Sequence, residues 1–297
     1  MSIQDSIKAK LKNRAIQEKR TFNEILTVYA LERMLYRLSI SEYAKHYVLK
    51  GGILLYALYK GDFKRGTADV DLLGYLSSND LLTIENSFKV IINLPCPEDG
   101  IYYVVSTLKV GRINELKKYP GVKVSIECFL SKTKISVQID IGFGDVVHPK
   151  IELIDYPTLL DLPAPIIHTY SKESVIAEKF HAMVSLGYAN TRMKDFYDIY
   201  ALLNSYDFTL ETLREAVQLT FLNRHTKLGN VVAFEKDYGS DPYKKRIWTS
   251  FIKSKNIESS LELDDVIANI LKFLSPVLLK HDDSKMTRWD HLRLEWI

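Results

Sequence analysis

Cysteine is almost absent: Cys96 and Cys128 are the only two among 297 residues. That is too few for a disulfide framework or a cysteine-ligated zinc site. The seven histidines are scattered, without the ligand clusters common in metal-dependent nucleases and phosphatases. No stretch approaches the roughly 20 apolar residues of a membrane-spanning helix. The opening segment MSIQDSIKAKLKNR is charged and periodic, with no apolar core of a signal peptide behind it. Internal repeats and low-complexity segments are missing too. These absences lead to the expectation of a soluble, cytoplasmic protein with reduced thiols and no membrane partner.

What is present suits a sizeable core. With 46% hydrophobic residues, the length accommodates one large domain or two smaller ones. The net charge of +3 is unevenly spread: residues 1–65 hold 13 Lys/Arg against 6 Asp/Glu. A basic N-terminal segment suits contact with a polyanion such as RNA, although a lysine-rich solvated helix has the same composition.

The first 40 residues read as helices. Thr21 and Glu24 form a T-x-x-E capping box, and Phe22, Ile25, Leu26 and Tyr29 follow on one helical face. Tyr47-Val48-Leu49 reads as a strand end, Lys50-Gly51-Gly52 as a tight turn, and Ile53 to Tyr59 as a short buried helix. Thr67 to Leu73 reads as a strand with carboxylates on one side and apolar groups on the other. Ile101–Val110, Val122–Leu130 and Ile135–Ile141 are strand-like, the last two joined in a hairpin by Ser131 to Lys134. Within the last, Ile135, Val137, Ile139 and Ile141 share one face, and Ser136, Gln138 and Asp140 the other.

From Ser171 the pattern turns helical. Ser171 caps a helix running to Gly187, and Asn190 or Thr191 caps the next, whose apolar face is Met193, Phe196, Tyr197, Tyr200 and Leu203. Further helical patterns cover about 209–225, 241–253 and 263–279, with Pro276 bending or interrupting the last and Gly229–Ser240 a long loop. The stretch Asp161-Leu162-Pro163-Ala164-Pro165 divides a sheet-containing half, 1–165, from a helical half, 166–297.

Asp69 and Asp71 stand two apart, so on a strand they point to one face, where two like charges are costly unless a cation neutralises them. A carboxylate-only site suits Mg²⁺, which takes its other ligands from water and phosphates. Asp140, on the polar face of another strand, supplies a third carboxylate for a phosphoryl-transfer site. A Gly51-Gly52 turn lets backbone N–H groups approach triphosphate oxygens. Lys179 lies close to the apolar face of its helix, placed as a point charge for phosphate. Asp195 and Asp198 are i, i+3 neighbours, with Lys194 i+4 from Asp198, and taken alone that run reads as helix ion pairs.

In order, Leu49-Lys50-Gly51-Gly52, Thr67-Ala68-Asp69-Val70-Asp71-Leu72-Leu73, Asp140-Ile141-Gly142, Glu173 to Phe180 and Lys194-Asp195-Phe196-Tyr197-Asp198 resemble the nucleotidyltransferase toxins of the AbiEii/AbiGii family. The resemblance implies an α+β fold: a polymerase-β-like domain with a mixed or antiparallel sheet, then a C-terminal helical bundle completing the active-site cleft. It implies the toxin of a bacterial toxin–antitoxin or abortive-infection pair, with a cognate antitoxin as partner. Magnesium would be held by Asp69, Asp71 and Asp140. The nucleoside triphosphate would meet Lys50, Gly51, Gly52, Thr67, Lys179, Arg192 and Lys194. Asp69, Asp71 and Lys179 would act in catalysis with Asp195 or Asp198, the two being alternatives for the later catalytic aspartate. Ile53 departs from the family, which usually has Thr or Ser there.

The resulting expectation is transfer of a nucleoside monophosphate from a triphosphate to an RNA end, as the related MenT toxins do on tRNA, with pyrophosphate leaving. Nucleotidylation of a protein or small molecule would use the same core. A non-catalytic binding module of the same fold is a third reading, against which the retained Asp69, Asp71, Asp140 and Lys179 speak.

Overall fold

The computed structural model describes residues 2–63, 66–113, 121–257, 260–279 and 286–297. The chain forms two compact units, the first of residues 1–144 and 152–169 and the second of residues 145–151 and 170–297.

The first unit opens with two helices, α1 (Ile3–Gln17) and α2 (Phe22–Ser39). The Thr21 hydroxyl accepts from the Glu24 N–H while Glu24 reaches back to the Thr21 N–H, the reciprocal cap expected from T-x-x-E. Ile25, Leu26 and Tyr29 are buried. So are Glu32, Arg33 and Arg37, which no apolar-face reading anticipates. Burial is eased because each of these groups finds partners for part of its polar atoms, Arg33 by donating to the Pro163 carbonyl. Arg37 donates to both oxygens of Asp99, which also accepts from the Ile101 N–H, and Glu32 accepts from the Leu159 N–H.

Strand β1 (Tyr47–Lys50) runs directly into α3 (Gly51–Leu58), followed by β2 (Val70–Gly74) and α4 (Leu81–Ile92). Then come β3 (Ile101–Tyr103), β4 (Lys109–Ile113), β5 (Gly121–Leu130), β6 (Thr133–Phe143), β7 (Glu152–Asp155) and β8 (Ile166–Thr169). They form one mixed eight-stranded sheet in the order β3-β5-β6-β2-β1-β8-β7, with β4 also paired to β5. The β2–β6 and β1–β8 pairs are parallel and the remaining pairs antiparallel.

The expected single strand from Ile101 to Val110 is two strands along one edge of β5, separated by a 3-10 turn at Val105–Thr107. At that break the Thr107 hydroxyl replaces a backbone acceptor, taking the Glu127 N–H at 3.0 Å. The β5–β6 hairpin closes tighter than expected, with Leu130 opposite Thr133 across Ser131-Lys132. Val122, Val124, Ile126, Cys128 and Leu130 of β5 and Ile135, Val137, Ile139 and Ile141 of β6 are all buried, the alternation that fixes register.

The second unit holds α5 (Lys172–Leu186), α6 (Met193–Leu203), α7 (Leu210–Asn223), α8 (Pro242–Ser254) and α9 (Leu263–Leu278). Ser171 caps α5 through the Ser174 N–H, and Gly187 ends it, as the sequence indicates. The cap of α6 differs: Arg192 occupies the N-cap, and the Asn190 side chain accepts from the Arg192 N–H one step earlier. Pro276 does not end α9, which runs on to Leu278. The expected loop at Gly229–Ser240 carries a short 3-10 turn at Val232–Phe234.

A small antiparallel sheet joins these helices: β9 (Phe208–Thr209), β10 (Arg288–Asp290) and β11 (Glu295–Trp296), in the order β11-β10-β9. Its aromatic residues build a local core, with Phe273 stacked on Trp296 at 5.7 Å and edge-on to Trp289 at 5.0 Å. The Trp289 indole donates to the Leu203 carbonyl, satisfying an acceptor at the end of α6.

Candidate active site

Residues paired across a sheet point to the same face, so register alone aligns four charged side chains in the first unit. Lys123 on β5 pairs with Asp140 on β6, Asp140 with Asp71 on β2, and Asp71 with Lys50 on β1. The result is a row reading Lys, Asp, Asp, Lys across four strands. The adjacent row, Val122, Ile141, Leu72 and Leu49, faces the opposite way and is fully buried. That buried row holds the charged one in place.

Two carboxylates on adjoining strands repel one another and favour a shared cation. Asp140 supports such a site, since its Oδ1 is buried and has no hydrogen-bond partner among the described residues. The Lys123 ammonium stands 3.4 Å from that oxygen, close enough for an ion pair without a hydrogen bond.

The Gly51 turn is pressed against Asp71. Gly51 has φ +70, and a Cβ there would lie 1.9 Å from Asp71 Oδ2. Both backbone conformation and space therefore require glycine. Gly52 begins the buried part of α3, whose N-terminus carries no side-chain cap at Lys50. The first N–H groups of a helix point outward along its axis and suit an anion such as phosphate. Ile53 is 1% exposed, so the residue that departs from the Thr/Ser expectation packs in the core.

Asp69 differs from expectation. Strand β2 begins at Val70, leaving Asp69 in the preceding bend, where the Thr67 hydroxyl donates to its Oδ1 at 3.0 Å. The strand alternation that was to set Asp69 beside Asp71 therefore stops one residue short. Leu73 departs as well, sharing the side of Asp71 by period two and being buried. Among the described residues no three His, Cys, Asp or Glu side chains gather as a metal-ligating group. The oxygen-only pair of Asp71 and Asp140, with its orphaned buried atom and glycine cradle, fits a hard divalent cation.

The second unit contains the other expected residues. Asp195 and Asp198 on α6 are buried, not surface ion pairs. Lys179 on α5 reaches both, at 3.2 Å from Asp195 Oδ1 and 2.5 Å from Asp198 Oδ2. Arg192 adds a contact to Asp195 Oδ2 at 2.6 Å. Burial alone would push the Asp195 carboxyl up, but the charges and hydrogen bonds of Lys179 and Arg192 outweigh it and hold it below the usual range. Lys194 is exposed and Arg192 half exposed.

One cluster escapes any sequence pattern. Arg224, just beyond α7, donates to Asp145 at 2.7 Å and to Glu178 at 2.9 Å, and Glu178 also accepts from the Tyr170 hydroxyl. His181 lies beside it, its pKa lowered to about 4 by burial and by the neighbouring guanidinium. Lys123 was missed for a similar reason: a lone lysine on an alternating strand signals only a solvated face.

The family described as "Nucleotidyl transferase AbiEii toxin, Type IV TA system" matches residues 33–285. Among solved structures, JHP933 from Helicobacter pylori is 16% identical, with 80% of this chain and 84% of that chain covered and a TM-score of 0.44. A putative nucleotidyltransferase from H. pylori is also 16% identical, with 80% and 87% covered and a TM-score of 0.43. No curated protein matches the chain.

Proposed function

The chain belongs to the AbiEii family of nucleotidyl transferase toxins of type IV toxin–antitoxin systems, and from that premise we propose that it transfers a nucleoside monophosphate from a triphosphate to the 3′ end of an RNA, with tRNA as the expected acceptor. The observation that carries this reading is the close packing of the Gly51 turn on Asp71, with Asp140 beside it on the next strand.

In this reading Asp71 and Asp140, assisted by Asp69, hold Mg²⁺, which when bound supplies charge neutralisation at the reacting phosphate. Thr67 orients Asp69. Lys50 and the N–H groups at Gly51 and Gly52 receive triphosphate oxygens. Lys179, Arg192 and Lys194 supply further cationic contacts to the nucleotide. Asp195 or Asp198 serves as the later catalytic aspartate. The acceptor hydroxyl attacks the α-phosphorus and releases its proton to solvent, the bond from that phosphorus to the oxygen bridging to the β-phosphate breaks, and pyrophosphate carries away the displaced charge. The protein works in the cytoplasm, where triphosphates and RNA meet, and a cognate antitoxin restrains it.

A second reading, with a protein or small-molecule acceptor, follows where the N-terminal segment does not serve as an RNA-binding face. Several N-terminal cations already have internal partners: Lys8 donates to Thr133, Lys12 lies over the Phe22 ring, and Arg14 and Arg20 approach Glu18. Lys64 and Arg65, counted in the basic segment, lie outside the described residues. Incubation with each labelled triphosphate, total RNA, cell protein and Mg²⁺ separates the readings. Label in RNA, lost with Asp71→Asn, supports RNA transfer. Label in protein or a small molecule replaces the acceptor and keeps the site, and no label anywhere overturns both.

A further inference from the structure

Across the sheet, the charged row does not end at its carboxylates. Lys123 is held at the outer side of Asp140 by cross-strand register, with Val122 and Val124 buried on either side of it in β5. Its ammonium is 3.4 Å from Asp140 Oδ1, the same buried oxygen that has no hydrogen-bond partner among the described residues. The lysine thus offsets the negative charge of Asp140 without a directed bond. Its side chain is 46% exposed, so it can withdraw into water at little cost.

We propose that Lys123 is a positioning residue that competes with the divalent cation for Asp140 and thereby sets the metal affinity of the site; this rests on the metal reading above. With no cation, the ammonium relieves repulsion between Asp140 and Asp71. An arriving divalent ion carries twice the charge and approaches a carboxylate oxygen to about 2.1 Å. Held by Asp140, it would repel the lysine, which would turn outward. Affinity is therefore lower than the two carboxylates would give by themselves.

The test is Mn²⁺ binding to the full chain, followed by electron paramagnetic resonance, for wild type, Lys123→Gln, Lys123→Arg and Asp140→Asn, with melting of each in chelator. Lys123→Gln is expected to bind Mn²⁺ roughly threefold to tenfold more tightly, the scale of a screened repulsion between a lysine and a divalent ion several ångströms away. It should also melt lower in chelator. Lys123→Arg should behave as wild type. Unchanged or weaker Mn²⁺ binding by Lys123→Gln overturns the proposal, even if its melting point falls, because that pattern describes an ordinary ion pair. Failure of the metal reading is seen separately: wild type would then bind no Mn²⁺ that Asp140→Asn loses, and the proposal would fall with it.

Discussion

At the scale of single residues, Gly51 and Asp71 are coupled by contact. Gly51→Ala combines a left-handed φ of +70 with a Cβ 1.9 Å from Asp71 Oδ2. The backbone part alone costs about 1–2 kcal/mol, and the overlap adds to it. We expect Gly51→Ala to lower the melting temperature and abolish transfer of label. In an Asp71→Ala background its stability cost should shrink without vanishing, since Oδ2 and Cγ are gone while the Cβ at 2.7 Å remains. A double-mutant cycle on melting free energies measures that coupling, and fully additive costs would contradict the packing described. Asp71→Asn makes the complementary case. It should lose transfer while keeping or raising the melting temperature in chelator, because one of two adjoining charges is removed.

At the scale of elements, α5 and α6 are joined through buried charge. Lys179 is 11% exposed, and its partners Asp195 and Asp198 are 1% and 0% exposed. Lys179→Ala removes the cation shared by two buried carboxylates while Asp195 keeps its contact with Arg192, and breaking a buried pair costs about 3–5 kcal/mol. We expect a clear fall in thermal stability by circular dichroism, so nucleotide affinity must be measured on the folded fraction. Lys179→Arg, which keeps the charge, should recover most of the stability. The pH dependence follows in sign. The Asp195 carboxyl is held below its usual range, so its contribution is present above the unfolded pKa and is lost as pH falls through the folded value. Lys179→Ala should flatten that acid limb.

Over the whole molecule, two buried groups with opposite shifts act on the same pH range. His181 is lowered from 6.5 to about 4, chiefly by burial and then by Arg224. The unfolded chain binds the extra proton, so stability is lost as pH falls from 6.5 towards 4. Glu32 is raised from 4.5 to about 7 by burial, against the attraction of Arg33. Here the folded chain holds the extra proton, so stability is lost as pH rises through 7. The two slopes offset one another between pH 4.5 and 6.5. Glu32→Gln preserves an acceptor for the Leu159 N–H and removes one slope. Denaturant melts at several pH values should then show stability rising more steeply with pH in the variant than in wild type. An unchanged profile would mean that Glu32 does not titrate in the folded protein.

Signals that act over a few residues were legible in the sequence. The Thr21–Glu24 box, the Ser171 cap, the alternation through β5 and β6 and the Gly51-Gly52 turn each depend on neighbours in the chain, and each is found where local chemistry puts it. Asp71 and Asp140 were both legible as site candidates from motif order and strand face. Their adjacency was decided by the parallel pairing of β2 with β6, a choice between distant segments that period-two alternation does not record. The same pairing, continued to β5 and β1, put Lys123 and Lys50 at the ends of the row. Tertiary packing also turned Asp195 and Asp198 inward to Lys179 and built β9, β10 and β11 from segments too short to show a period. A sequence specifies which faces are apolar, but which faces meet is settled by long-range burial, where the free energy of the whole core outweighs any local preference.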